Sequence, residues 1–359
     1  MPLSLKSVAR GVLGAIPLSF YPLIIRRDVV VFLYHLVGPP DLAHVRHIYS
    51  YKSPKAFERD LLYLALRFRM VSYDEIVSKR NRSGRQAAHI TFDDGYAECD
   101  TLARPILLQR GVPCSFFVTT DLMDNRTMFH RNKVSLCIET VLGLSDRDAT
   151  AFLHDLGRRI GRPLEDRASF RRLMLALGAH DEDRIDEVCA ILRIDVSGYL
   201  RERRPYLTTG QIRRLVGEGF TVGAHARRHI PLGSLGESAA RDEIVTSCRT
   251  IRDLTGRDPV PFAFPHSADA VDRTFLRRLV ADHPSIGRLF DTHRLLRDDA
   301  IILNRITADA PPADDRRSNM PVLLHAAYRE AATEALRDFI PALLRRAAPQ
   351  DPPRRSGKG

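Results

Sequence analysis

Ala88-His89-Ile90-Thr91-Phe92-Asp93-Asp94-Gly95 is a mostly apolar run that ends on two carboxylates and a glycine. Such a stretch reads as a buried strand, and Asp-Asp-Gly as the turn that leaves it. Adjacent turn residues point in different directions, so one carboxylate can hold a metal while the other faces a substrate. A second segment has the same plan. Phe220 to Gly223 reads as a strand and leads into His225-Ala226-Arg227-Arg228-His229, with two imidazoles four residues apart. One carboxylate and two histidines form a ligand set for a divalent metal with an open position. A metal so held lowers the pKa of its water to about 7. The pair of segments therefore points to metal-assisted hydrolysis.

Outward from these segments, strands alternate with helices. Val29 to Val37 reads as a buried strand, and Ser53 opens an amphipathic helix. A short helix is expected near Asp74 to Lys79, a polar loop at Asn81 to Gln86, and a helix at Asp100 to Gln109 closed by Gly111. Ser115 to Thr119 is the next strand. From about 121 to 204 apolar residues recur at helical spacing among many charges, which predicts a helical insertion over one end of the core. Alternation resumes with a helix at Gln211 to Val216 and one at Ser238 to Leu254 ending at Gly256. Val260 to Phe264 and Ala300 to Ile306 read as the last core strands, and Ala326 to Ala347 as a basic helix. This order predicts an α/β fold with parallel strands. Functional residues at strand ends fit a barrel, whose chemistry gathers at the C-terminal edge.

The 359 residues carry a formal charge of +11, from 55 Lys and Arg against 44 Asp and Glu. That balance fits a solvated, arginine-rich surface or, alternatively, attraction to an anionic glycan or a phospholipid surface. No zinc finger, RNP motif or basic zipper is present, so nucleic acid is not an expected partner. The five cysteines form no C-x-x-C pair and read as reduced thiols. Gly11 to Ile25 is uncharged and flanked by arginines, but it is shorter than the roughly 20 residues of a spanning helix. It reads as a membrane-surface or core-packing segment. The expected location is cytoplasmic, peripheral at the inner face of the membrane, with export as the alternative. The expected organisation is an N-terminal segment 1–27, a catalytic domain 28–310, a helical extension 311–347 and a disordered tail 348–359.

Thr91-Phe92-Asp93-Asp94-Gly95 together with the later His-x-x-x-His resembles the polysaccharide deacetylases, carbohydrate esterase family 4, with the NodB homology domain. The resemblance implies a distorted (β/α) barrel and a divalent metal, zinc first, with cobalt, nickel or iron as alternatives. Asp93 is then the base, and Asp94, His225 and His229 are the ligands. Phe262-Ala263-Phe264-Pro265-His266 is similar to an F-A-Y-P-Y-G segment whose backbone after the proline forms the oxyanion pocket, which assigns Pro265 and His266. Three departures stand out: Ala226 where the family has Ser or Thr, Ala263 where many members carry an arginine, and His266-Ser267 for Tyr-Gly.

Leu33-Tyr34-His35 resembles the motif of a circularly permuted branch and makes His35 the general acid. Leu303-Asn304-Arg305-Ile306 is similar to the closing strand. His325, in Val322-Leu323-Leu324-His325, is the alternative acid, because unpermuted members end on such a motif. His89 reads as structural and His130 as rim. The implied reaction removes N-acetyl groups from an amino-sugar glycan or glycolipid, with an acetylated glycan or lipid-linked saccharide as partner. The alternatives are an O-acetyl esterase or small-molecule N-acyl hydrolase, and a non-catalytic glycan-binding or assembly protein supported by Ala226, Ala263, His266 and Ser267.

Overall fold

A computed structural model describes Tyr21, Ile25 and residues 27–78, 84–314 and 316–347, with side chains to 335. The expected tail 348–359, most of the N-terminal segment 1–27 and part of the loop 81–86 lie outside the described residues. Eight strands run β1 Val29–Tyr34, β2 Arg69–Met70, β3 Ala87–Phe92, β4 Cys114–Val118, β5 Thr221–Ala224, β6 Val260–Ala263, β7 Ile286–Asp291 and β8 Ile302–Thr307. Every pairing is parallel. β1 pairs with β8 on one edge and β3 on the other, so seven strands close into a barrel. β2 stays outside the ring. The Ala87 amide donates to Asp28 on the β1 side, while the Val71 amide donates to Ala88 on the opposite edge.

Side chains alternate across the strands. Val30, Phe32, Ile90, Phe116, Val222 and Phe262 face the surrounding helices and build the main core. Val31, Phe117, Ala263 and Phe290 fill the barrel interior with Tyr73. The inward parity of β1 continues to His35, that of β3 to Asp93, and that of β8 through Leu303, Arg305 and Thr307. Gly223 is needed on β5, because a Cβ there would lie 2.6 Å from the Pro261 carbonyl and 2.7 Å from the Phe117 ring.

The predicted helix starts hold where a cap is present. Ser53 caps Pro54–Arg67, and Gly111 and Gly256 end their helices in the left-handed conformation. After β4 come five helices, His130–Gly143, Asp146–Arg159, Arg167–Ala176, Glu182–Ile191 and Val196–Arg203. The first four bury a separate core that includes Val134, Leu153, Phe170, Met174 and Ile185.

Three elements differ from expectation. β7 and the helix Arg273–Asp282 lie between the strands read as last. Gly287 and Arg288 weaken the strand signal of β7, yet Gly287 is required: its Cβ would sit 2.5 Å from the Tyr73 hydroxyl. The final helix begins at Met320, not Ala326, so Val322–His325 lies inside it rather than ahead of it.

Candidate active site

The C-terminal ends of β1, β3, β5, β6 and β8 open into a cleft of about 510 Å³ lined by His35, Tyr49, Asp93, His130, Arg131, His225, His229 and His266, among others. Asp93 and Asp94 leave β3 at a turn in which Asp94 (φ 70°) is left-handed. Gly95 follows, and a Cβ there would lie 2.9 Å from Val118. The two carboxylates diverge as expected from adjacent turn residues. Asp93 is held at both oxygens by the Arg305 guanidinium, at 2.7 Å each. Arg305 is wholly buried, donates also to Thr91 Oγ1, and lies over the Phe117 and Phe290 rings. Ala263 packs in the barrel interior, and the guanidinium on Asp93 comes from Arg305 of β8.

Asp94, His225 and His229 are buried together, with donor atoms within 4.8 Å of one another. Asp94 Oδ1 is 3.0 Å from His229 Nε2 and 3.3 Å from His225 Nε2. His225 Nδ1 is 2.9 Å from the Ala263 carbonyl, which can only accept, so that nitrogen carries the proton and Nε2 is bare when the ring is neutral. Both Asp94 oxygens lack hydrogen-bond donors. A bare imidazole nitrogen facing an unpartnered carboxylate oxygen is a lone-pair contact that a cation between them relieves. The trio therefore fits a divalent metal with two nitrogen ligands and one oxygen. Burial opposes charge on Asp94, but His229, His225 and His35 hold its carboxyl well below the usual range. Burial pushes His229 down.

The loop that presents the histidines is left-handed at Ala226 (φ 58°) and His229 (φ 59°). Ala226 supplies no hydroxyl, and the loop is supported from elsewhere. Buried Glu243 accepts from the amides of Arg227 (2.9 Å) and Arg228 (3.1 Å), and Thr120 N–H donates to the Ala226 carbonyl at 3.1 Å. Pro265 and His266 lie at the end of β6, with the left-handed step at His266 (φ 62°). Asp291, wholly buried, pins this loop by accepting from the Ala268 amide at 3.1 Å. The His266 carbonyl accepts from Thr292 Oγ1 at 3.2 Å.

His35 enters the cleft from β1. Its Nδ1 is 2.5 Å from Asp309 Oδ2 and its backbone N–H donates to Asp309 Oδ1 at 2.9 Å. The Tyr49 ring stacks on it at 4.7 Å and 16°. Burial works against a charged ring, but Asp309 overrides it and lifts the His35 pKa to about 10. His325 is not brought to the cleft. It lies in the helix Met320–Ala347, edge-on to Tyr21 with ring centroids 5.7 Å apart. His89 is buried between the Val71 carbonyl and Ser115 Oγ. His130 lines the cleft outside the Asp94–His225–His229 trio.

Sequence reasoning missed Asp309, Tyr49, Glu243 and Asp291. A signal for Asp309 was present, because it shares the parity of Arg305 and Thr307 two residues beyond β8. Glu243 and Tyr49 carry no local sign of their role.

The sequence profile of the polysaccharide deacetylase family matches residues 80–282, more than half of the chain. No curated protein sequence matches. Among solved structures, the Streptococcus pyogenes deacetylase PplD, in complex with acetate, is 14% identical. It covers 82% of this chain and 97% of its own, with a TM-score of 0.51. IcaB from Ammonifex degensii is 16% identical over 84% of this chain and 97% of its own, with a TM-score of 0.47. The family match spans Asp93, Asp94, both trio histidines and the Pro265–His266 loop. The chain belongs to the polysaccharide deacetylase family, hydrolases that act on carbon–nitrogen bonds other than peptide bonds.

Proposed function

We propose that the protein is a metal-dependent N-deacetylase of an amino-sugar-containing glycan or glycolipid. The carrying observation is the convergence on one cleft of the Asp94–His225–His229 trio, the Asp93–Arg305 pair and the His35–Asp309 pair. A divalent cation held by the trio, zinc by preference for this ligand set, would polarise the acyl carbonyl and acidify the attacking water.

The remaining work falls to this chain's side chains. Asp93, oriented by both guanidinium nitrogens, accepts the water's proton. The His266 backbone N–H, on a loop anchored through Asp291 and Thr292, is the candidate oxyanion donor, worth about 3 kcal/mol. His35, protonated through its contact with Asp309, gives a proton to the departing amine. An amine leaves poorly as an anion, so an acid poised this way suits an amide more than an ester. Acetate and a free amino group result.

The test is acetate release from chito-oligosaccharides and lipid-linked N-acetylated amino sugars, with zinc, cobalt, nickel or iron supplied and with chelator, beside Asp93→Asn. Zinc-dependent release that is lost in the variant supports the reading. Absence of release from every N-acetylated substrate, with O-acetyl esters cleaved instead, would reject it. The cytoplasmic, membrane-peripheral location belongs to the same proposal. Among the described residues no helix is long and apolar enough to cross a membrane.

A further inference from the structure

One wall of the cleft comes from the helical insertion, and the reaction above does not use it. The fourteen-residue helix His130–Gly143 starts at this wall. Phe129 stands at its N-cap and supplies no side-chain acceptor. The amides of Asn132 and Lys133 turn back to the Phe129 carbonyl, while those of His130 and Arg131 have no acceptor among the described residues. The His130 side chain is only 6% exposed, lines the cleft, and makes no hydrogen bond among the described residues. Arg131 lines the cleft beside it. One of its nitrogens donates to the Leu175 carbonyl at 3.1 Å, and among the described residues it makes no ion pair. The Phe129 ring separates this group from the trio, with centroids 4.6 Å from His130 and 4.5 Å from His229.

A helix start concentrates unpaired N–H groups and positive potential. A half-buried guanidinium without a carboxylate and a buried imidazole without a partner add donors aimed at the same space. Together they match a phosphoryl group, whose three oxygens accept from several donors at once. These groups and the trio histidines line one cleft, with the Phe129 ring between them.

We propose that this wall is a subsite for a phosphoryl group carried by the amino-sugar substrate, bound by Arg131, His130 and the open N–H groups at the start of the helix. The proposal rests on the deacetylase reading and narrows its substrate class to phosphorylated amino sugars. A second cavity of about 430 Å³, lined in part by Leu156, Leu173, Met174 and Val188, shares Leu177 with the cleft. Arg159, Arg162, Arg184 and Glu187 line it too, so a prenyl chain esterified to the phosphate would meet a mixed apolar and charged surface there, and the phosphate has two sources to tell apart.

The test is calorimetric titration of the full-length, zinc-loaded protein with glucosamine 1-phosphate and with methyl glucosaminide. Tighter binding of the phosphorylated sugar by about tenfold or more is expected, weakening with salt. In Arg131→Gln that preference falls below about twofold, and Arg131→Lys restores part of it by returning the charge. Thermal melting of each variant shows that it is folded. Equal affinity for the two sugars in the wild type overturns the proposal. So does a preference undiminished in Arg131→Gln, which would place the phosphate on the metal. Tighter binding of the prenyl diester than of free glucosamine 1-phosphate supports the subsite with a lipid-borne source, and equal binding supports it with a soluble one.

Acetate release from methyl N-acetylglucosaminide in the same preparations separates the two readings. Phosphate preference without any release leaves the subsite standing and removes the deacetylase. Release without preference does the reverse.

Discussion

At the residue scale, the adjacent aspartates have separate fates. Asp94 has two oxygens with no donor and faces two imidazoles, whereas Asp93 has both oxygens on one guanidinium. Asp93→Asn is expected to lower acetate release by about 10²–10⁴ while bound metal per chain stays unchanged. Metal analysis of the purified variant checks the second half. Arg305→Met leaves a buried carboxylate unpaired and is expected to cost about 3–5 kcal/mol in urea unfolding. Adding Asp93→Asn to Arg305→Met should recover part of that loss, because the orphaned charge is gone.

His35 makes the pH prediction. Its pKa rises from 6.5 in the unfolded chain to about 10 beside Asp309. The pair therefore contributes fully to stability below pH 6.5, and its contribution shrinks as pH rises and is gone above about 10. The stability gap between the wild type and Asp309→Asn should close over that window in urea melts. The alkaline limb of kcat should lie above neutral pH and move down in the same variant.

At the element scale, the loop after β5 shows how a departure from family pattern is accommodated. The hydroxyl missing at Ala226 is replaced by supports from two other elements: Glu243 on the helix Glu237–Thr255 and Thr120 after β4. Glu243→Ala is expected to lower metal affinity about 10–100-fold, read by competition with a fluorescent chelator, because the histidines lose the backbone frame that aims them. The loop after β6 behaves similarly. Its left-handed step falls on a non-glycine residue, His266, and Asp291 on the once-overlooked β7 holds the strand-to-loop junction. β7 escaped notice because its glycine answers a tertiary contact with Tyr73, which strand propensity does not record. The final helix starts at Met320, six residues before the expected Ala326, and Leu324 in its first turns packs into the main core.

At the scale of the whole molecule, barrel closure assembles the site. The β1–β8 pairing sets Leu33 opposite Thr307, and the Ala308 amide donates to the Leu33 carbonyl at 2.7 Å. His35 and Asp309 then meet across 274 residues, and Asp93 and Arg305 across 212. Metal binding should couple to this closed state. Zinc at about 100 times its dissociation constant is expected to stabilise the wild type by about 2.7 kcal/mol. That gain should be absent in Asp94→Ala, as read from unfolding curves with and without the metal.

Most of the strands, the main caps, the helical stretch and the two segments that carry Asp94, His225 and His229 were legible in the sequence because each is a local pattern. Alternation, cap chemistry and a four-residue spacing act over a few residues, and they survive translation into three dimensions almost unchanged. The pairing of Asp93 with Arg305 and of His35 with Asp309 was not legible, beyond the shared parity of Asp309 and Arg305, nor was the choice that brings His35 into the cleft and leaves His325 on a helix beside Tyr21. Those depend on which strand closes the ring, and that follows from parallel pairing between elements at opposite ends of the chain. The sequence by itself brought out the candidate ligands and the chemistry they would support. The tertiary structure alone decided which groups orient the base and the acid, because long-range strand pairing sets their separations and local pattern does not.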